Sequence, residues 1–171
     1  FMAEHGAVVV KPIHGNGGKA IFRVPADGDN LTALFEVFNQ TWPEPHMVQP
    51  FLPEVAEGDK RIVLVDGEIA GAINRIPGEG EFRSNLAMGG SAEATRLTTR
   101  EREICEAMGP DLKRLGLTFV GIDVIGGKWL TEINVTSPTG IVAIENFDGT
   151  DVASMIWDAI EARHAALEKR A

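Results

Sequence analysis

The stretch from Thr118 to Val135 constrains the fold more than any other. Thr118-Phe-Val-Gly-Ile-Asp-Val-Ile125 and Lys128-Trp-Leu-Thr-Glu-Ile-Asn-Val135 flank the pair Gly126-Gly127, and this pattern of β-formers around a glycine turn predicts an antiparallel hairpin. With Gly126-Gly127 as a two-residue turn, Ile125 pairs with Lys128 and Asp123 with Leu130. Successive side chains of a strand point to opposite faces. Val120, Ile122 and Val124 then share an apolar core face with Trp129, Ile133 and Val135. The other face carries Asp123, Glu132 and Asn134, with Glu132 diagonal to Asp123. Two acids and an amide oxygen suit a hard cation held jointly with phosphates. Without a cation, one of two close carboxylates would have to protonate. A solvent-facing polar sheet surface alternates in the same way, so the pattern alone leaves both readings open.

The other elements fall on either side of this hairpin. Val8–Lys11 reads as a strand ending at Pro12, and Lys19–Val24 as a second strand stopped by Pro25. Leu31–Gln40 is an amphipathic helix with Leu31, Leu34, Phe35 and Phe38 on one face. Met47–Leu52 is a strand, and Arg61–Asp66 with Glu68–Ile76 a hairpin centred on Asp66-Gly67. Residues 77–91, with Gly78, Gly80, Gly89 and Gly90, read as a long mobile loop. Thr98-Thr-Arg-Glu101 is a capping box opening a helix that runs to about Leu115, with a kink or break expected at Gly109-Pro110. Val152–Leu167 is a final amphipathic helix with Val152, Met155, Ile156, Ala159 and Ile160 inward. Antiparallel hairpins mixed with helices predict an α+β fold rather than a doubly wound sheet.

Between the first two strands lies Gly15-Asn16-Gly17-Gly18-Lys19-Ala20. It fits the spacing of a dinucleotide fingerprint but opens no helix, and Ala20 stands where a Walker A motif needs Ser or Thr. It is either a plain glycine-rich turn or a loop whose N–H groups cover phosphates, with Lys11 supplying a positive charge beside it. Arg61 and Arg75, near the two ends of one hairpin, can converge on a common edge, and Arg83 and Asn85 lie in the 77–91 loop. Guanidinium groups there suit carboxylates and phosphoryl oxygens. The net charge of −9 argues against non-specific nucleic-acid binding. No apolar run approaches the roughly 20 residues of a membrane span. With Cys105 alone there is no internal disulfide, and a cytoplasmic protein is expected. Cys105 falls at an apolar helical position and reads as structural. His5, His14, His46 and His164 show no metal spacing.

Taken in order, several segments resemble prokaryotic glutathione synthetase, of the ATP-grasp superfamily. They are Val10-Lys-Pro12 with Gly15-x-Gly-Gly18, Gln49-Pro-Phe-Leu-Pro53, Gly58-Asp-Lys-Arg61, Asn74-Arg-Ile-Pro77, Arg83-Ser-Asn-Leu-Ala87 with Gly89-Gly90, Phe119-Val-Gly-Ile-Asp123 and Thr131-Glu-Ile-Asn-Val-Thr-Ser-Pro-Thr139. The resemblance implies an ATP-grasp fold of two lobes, residues 1–57 and 58–171, with a lid at 77–91 and without the N-terminal substrate domain of such proteins. It implies an ATP-dependent ligase that joins γ-glutamylcysteine to glycine through an acyl phosphate. Lys11 and the loop Gly15, Asn16, Gly17 and Gly18 would meet the phosphates, and Gln49, Pro50, Phe51 and Leu52 would hold adenine. Asp123, Glu132 and Asn134 would bind two Mg²⁺, with Mn²⁺ as an alternative. Arg75 would stabilise the acyl phosphate, while Arg61, Arg83 and Asn85 would hold the peptide. The partners are these small molecules, with no nucleic acid or membrane, and a homo-oligomer is expected of the full-length parent. The chain looks truncated and is expected to lack full activity alone. The rival readings are another ATP-grasp carboxylate–amine ligase or a non-catalytic nucleotide-binding module.

Overall fold

A computed structural model describes residues 1–15, 17–41, 43–85 and 89–169. Two antiparallel sheets organise it. The smaller has the order β2-β1-β3, from β1 (Val8–Pro12), β2 (Phe22–Val24) and β3 (His46–Pro50). Helix α2 (Leu31–Thr41) buries Phe38 against Val8, Val10 and Val24. A short helix α1 (Met2–His5) precedes β1. The larger sheet has the order β6-β5-β4-β7-β8, from β4 (Asp59–Val65), β5 (Glu68–Ile76), β6 (Ser91–Ala94), β7 (Phe119–Ile125) and β8 (Trp129–Asn134). A 3₁₀ turn, Pro53–Glu57, joins the two sheets.

The larger sheet uses its two faces differently. One face, with Ile62, Leu64, Val120, Ile122 and Val124, packs on Ile104, Cys105 and Leu112 of α3 (Thr99–Arg114). The other is apolar only at one end, where Val63, Val65, Ala70 and Ile73 meet Ile144 of α4 (Ile141–Asp148) and Val152 of α5 (Val152–Glu168). At its far end the same face carries Asp59, Arg61, Arg75 and Asp123, all buried. The helices therefore leave open one end of one sheet face, and that end carries charge.

The antiparallel α+β arrangement and the Asp66-Gly67 hairpin agree with the sequence reading; both turn residues have positive φ, 50° and 84°, as a type I′ turn requires. The capping box is present, with Thr98 and Glu101 bonding reciprocally. Several local expectations change. The strand expected at Lys19–Val24 is only Phe22–Val24, because Gly17, Gly18 and Ala20 all turn with positive φ. Strand β6 and helices α1 and α4 were not foreseen. Ile160 is 42% exposed rather than inward.

Helix α3 runs unbroken through Gly109-Pro110. Gly109 is there for contact, since the backbones of Gly67 and Gly109 touch and a Cβ on Gly109 would collide with the Gly67 carbonyl oxygen. Gly109→Ala, which in a free helix would stabilise by up to about 1 kcal/mol, is therefore expected to destabilise by roughly 1–3 kcal/mol through overpacking. Urea unfolding reads the sign directly.

The same turn is tied down by charge. Asp66 receives Arg163 Nη2 at 2.6 Å and lies 2.8 Å from Lys113 Nζ. Lys113 first, then Arg163, hold its carboxyl below the usual range. A depressed carboxylate stabilises above its unfolded pKa of about 3.9 and loses that contribution as pH falls through its folded value. Asp66→Asn, which keeps a residue tolerant of positive φ, should cost about 1 kcal/mol at pH 7. Thermal melts of the two proteins should converge once the pH has fallen through the folded value. Cys105 is buried, and burial pushes its thiol up to about 11, so it is inert at neutral pH.

Candidate functional site

Register assembles the charged end. In the larger sheet Arg61 stands opposite Asp123 and Asp59 opposite Arg75, so two rows of alternating sign lie side by side. Arg61 Nε and Nη2 donate to the two Asp123 oxygens at 2.5 and 3.0 Å, and Arg61 Nη1 donates to the Thr139 carbonyl at 3.3 Å. Arg75 Nη2 lies 2.6 Å from Asp59 Oδ2 and 2.8 Å from Asp123 Oδ2. Burial opposes charge on Asp123, but Arg75 and Arg61 outweigh it and hold the carboxyl below its ordinary range. Asp59 yields instead: burial, then the Asp123 charge, pushes it up to about 6 against the pull of Arg75, Ser84 and Arg61.

Glu132 completes the row. The turn after β7 is one residue longer than expected, so Ile125 pairs with Trp129 rather than Lys128. Thr131 is then an extra bulged residue, and Glu132 faces Asp123 directly instead of diagonally. Trp129 consequently lies on the cleft side and is 49% exposed, not in the core. Ile133, on the edge strand β8, and Val135, just beyond it, were also expected in the core and are half exposed.

Two adjoining hollows of about 530 and 520 Å³ lie between the sheets, and both touch Lys11, Asn85, Thr131 and Glu132. The first is also lined by Gln49, Pro50, Phe51 and Leu52 and by Asp59 and Asp123. The second is lined by Gly15, Gly17 and Gly18 and by Asn134. Asn16, also expected at the phosphates, lies outside the described residues, as does part of the 77–91 loop. The bulge bridges the sheets: Lys11 Nζ and Gln49 Nε2 donate to the Thr131 carbonyl at 3.3 and 3.2 Å. The Gln49 side chain thus reaches across to the other sheet. Arg83 pairs with Glu81 and donates to the Gly18 carbonyl at 3.2 Å.

Asp123 Oδ1 accepts one hydrogen bond and Oδ2 two; one of its four lone-pair positions is uncommitted. Glu132, 3.8 Å from Lys11 Nζ, has open oxygens. Asn134 Oδ1 is occupied, accepting from the Thr136 and Ser137 N–H groups beyond β8. No group of three or more His, Cys, Asp or Glu residues with metal-binding spacing occurs among the described residues. Two carboxylates with unfilled positions fit a cation that takes its other ligands from phosphates.

Asp59 and Ser84 were not foreseen. Ser84, 3% exposed, donates to Asp59 Oδ2 at 2.9 Å. Asp59 could have been found from its position two residues before Arg61 on the same strand face. Nothing in the glycine-rich loop marks Ser84.

The family model for prokaryotic glutathione synthetase, ATP-grasp domain, matches residues 1–149. Glutathione synthetase of Rhodopseudomonas palustris is 59% identical over 165 residues, covering 96% of this chain and 52% of the relative. That of Bradyrhizobium diazoefficiens is 57% identical over 165 residues, with the same two coverages, 96% and 52%. The chain spans about half the length of the curated relatives it matches. A crystal structure of a D-cycloserine synthetase superposes with a TM-score of 0.70 at 19% identity, over 94% of this chain and 57% of that one. A D-alanine–D-alanine ligase from Bacillus anthracis complexed with ATP gives 0.64 at 19%, over 94% and 54%. These structural likenesses show the ATP-grasp fold. No helix among the described residues is long and apolar enough to cross a membrane.

Proposed function

We infer that this chain, which belongs to the prokaryotic glutathione synthetase ATP-grasp family, forms the nucleotide-binding half of a cytoplasmic, homo-oligomeric glutathione synthetase. The reaction phosphorylates the γ-glutamylcysteine carboxylate with ATP; the amine of glycine then displaces phosphate from the acyl phosphate, leaving glutathione, ADP and phosphate. The observation that carries this reading is the Asp123–Glu132 pair facing Lys11 across the gap between the sheets. No ligase of this kind needs a protein nucleophile, so catalysis is placement and charge.

Each part of the cleft takes a role. Residues 1–57 and 58–171 form the two lobes that clasp the nucleotide. Adenine sits along Gln49, Pro50, Phe51 and Leu52, and the triphosphate under Gly15–Gly18 with Lys11 as its point charge. Asp123 and Glu132 would hold Mg²⁺ or Mn²⁺, joined by Asn134 on the same face once its oxygen is released from the Thr136 and Ser137 N–H groups. Ions held there would neutralise the phosphates and polarise the transferring phosphoryl group. Arg75 stays charged between Asp59 and Asp123 and offers its guanidinium to the acyl-phosphate oxygens. Arg61, Arg83 and Asn85 hold the dipeptide, and residues 77–91 cover the site and exclude water.

ADP release by the intact enzyme with Mg²⁺ and ATP, omitting γ-glutamylcysteine or glycine in turn, tests the assignment. Release that needs both supports it. Release with other amino acids instead would identify a different ATP-grasp ligase.

A further inference from the structure

We infer that Ser84 and Asp59 are positioning residues: the Ser84–Asp59 hydrogen bond seats the segment Phe82–Asn85 on the cleft and fixes the Arg75 guanidinium beneath it. The role given to Arg75 rests on the function proposed above. The seating rests on geometry alone.

Four consecutive residues touch three parts of the site. The Phe82 ring meets Phe51 edge-on, with centroids 6.2 Å apart. Arg83 donates to the Gly18 carbonyl. Ser84 donates to Asp59 of β4. Asn85 packs so closely on Gly18 that any Cβ there would collide with its side-chain oxygen. The segment belongs to no helix or strand, so these contacts hold it in place. Ser84 is the buried one, and a buried hydroxyl without a partner is costly. From the other side Gly90 closes on it, since a Cβ on Gly90 would lie 2.5 Å from the Ser84 carbonyl oxygen.

One oxygen carries the coupling. Asp59 Oδ2 accepts from Ser84 at 2.9 Å and from Arg75 at 2.6 Å, while Asp59 Oδ1 is buried with no partner. Displacing Ser84 therefore frees Asp59 to swing, and Arg75 with it. A loosened segment would admit water to the acyl phosphate. Water's oxygen would then take the place of the amine, regenerating the dipeptide carboxylate and releasing phosphate, with ATP consumed and no peptide bond made.

The test uses the intact enzyme with Ser84→Ala, Asp59→Ala and both together. Trypsin cleavage after Arg83 without substrates reports seating, because proteolysis follows the population of the opened form. Cleavage of Ser84→Ala should be about fivefold faster than wild type, the worth of one hydrogen bond. Its ADP released per glutathione formed should rise above one, and kcat should fall more than KM rises. In the Asp59→Ala background, which lacks the acceptor, Ser84→Ala should add nothing, as a shared interaction requires. Unchanged cleavage and unchanged ADP stoichiometry in Ser84→Ala, or full additivity of the two substitutions, would overturn the inference. If wild type makes no glutathione, the reading of function fails while the cleavage cycle still decides whether the segment is seated by this bond.

Discussion

Asp123→Asn is expected to destabilise the protein by roughly 3–5 kcal/mol, the cost of removing one partner from a buried ion pair. Asp123 is 3% exposed and accepts from two guanidinium groups that are themselves buried. An amide in its place neutralises the charge and turns a donor toward Arg61 or Arg75. Asp59 is relieved of the Asp123 charge, but it bonds Arg75 and leaves Arg61 with only the Thr139 carbonyl. Denaturant unfolding at pH 7 measures the loss as a drop in midpoint at constant m-value. A loss under 1 kcal/mol would mean that the arginines turn out to solvent when the acid is removed, and that the quartet contributes little to folding.

Glu132→Gln should behave in the opposite way. Its side chain is 44% exposed on an edge strand, with its nearest cation at 3.8 Å. Surface changes of this kind shift stability by about 0.5 kcal/mol or less. In the role proposed for it, as a ligand for a cation shared with phosphates, it would supply several kcal/mol of charge stabilisation in the transition state. Turnover of the intact enzyme should fall on the order of 100-fold or more. The two substitutions alter directly opposed residues, yet one should act on folding as well as chemistry and the other on chemistry alone. If Glu132→Gln kept full turnover, the metal assignment would be wrong.

The α+β fold was legible in the sequence, and many of the residues that line the cleft were named there without the register that brings them together. Asp123 and Glu132 were placed together for a reason that was only half right. The assumed turn was one residue too short and the assumed ladder one residue too regular, and the two departures cancel at Glu132. They do not cancel at Trp129, which precedes the bulge and so moves to the cleft. A similar irregularity acts on the arginines. In β5 Ala70 is the extra residue, between Ile69 opposite Leu64 and Gly71 opposite Val63. An unbroken ladder from the Asp66-Gly67 turn would have put Arg75 on the sheet face away from Arg61. Bulges of this kind answer to packing across the sheet, which pattern reading along one strand does not see. Ser84 was missed for a related reason, because its partner lies 25 positions away and no periodicity links the two. The capping box and the glycine turns were legible because they are local.

Ala70 and Thr131 have a consequence for how such a site can vary over time. Each extra residue is absorbed as a bulge, and the residues beyond it stay in phase with the partner strand, Arg75 opposite Asp59 and Glu132 opposite Asp123. Loss of either would straighten the ladder and leave those pairs facing each other. These two positions can therefore gain or lose a residue without turning a functional side chain to the other side. A length change elsewhere in β5 or β8 that no bulge absorbs slips the register and turns over the residues beyond it. Single-residue length differences in this family should therefore fall in the loops or at Ala70 and Thr131, and not elsewhere in these two strands.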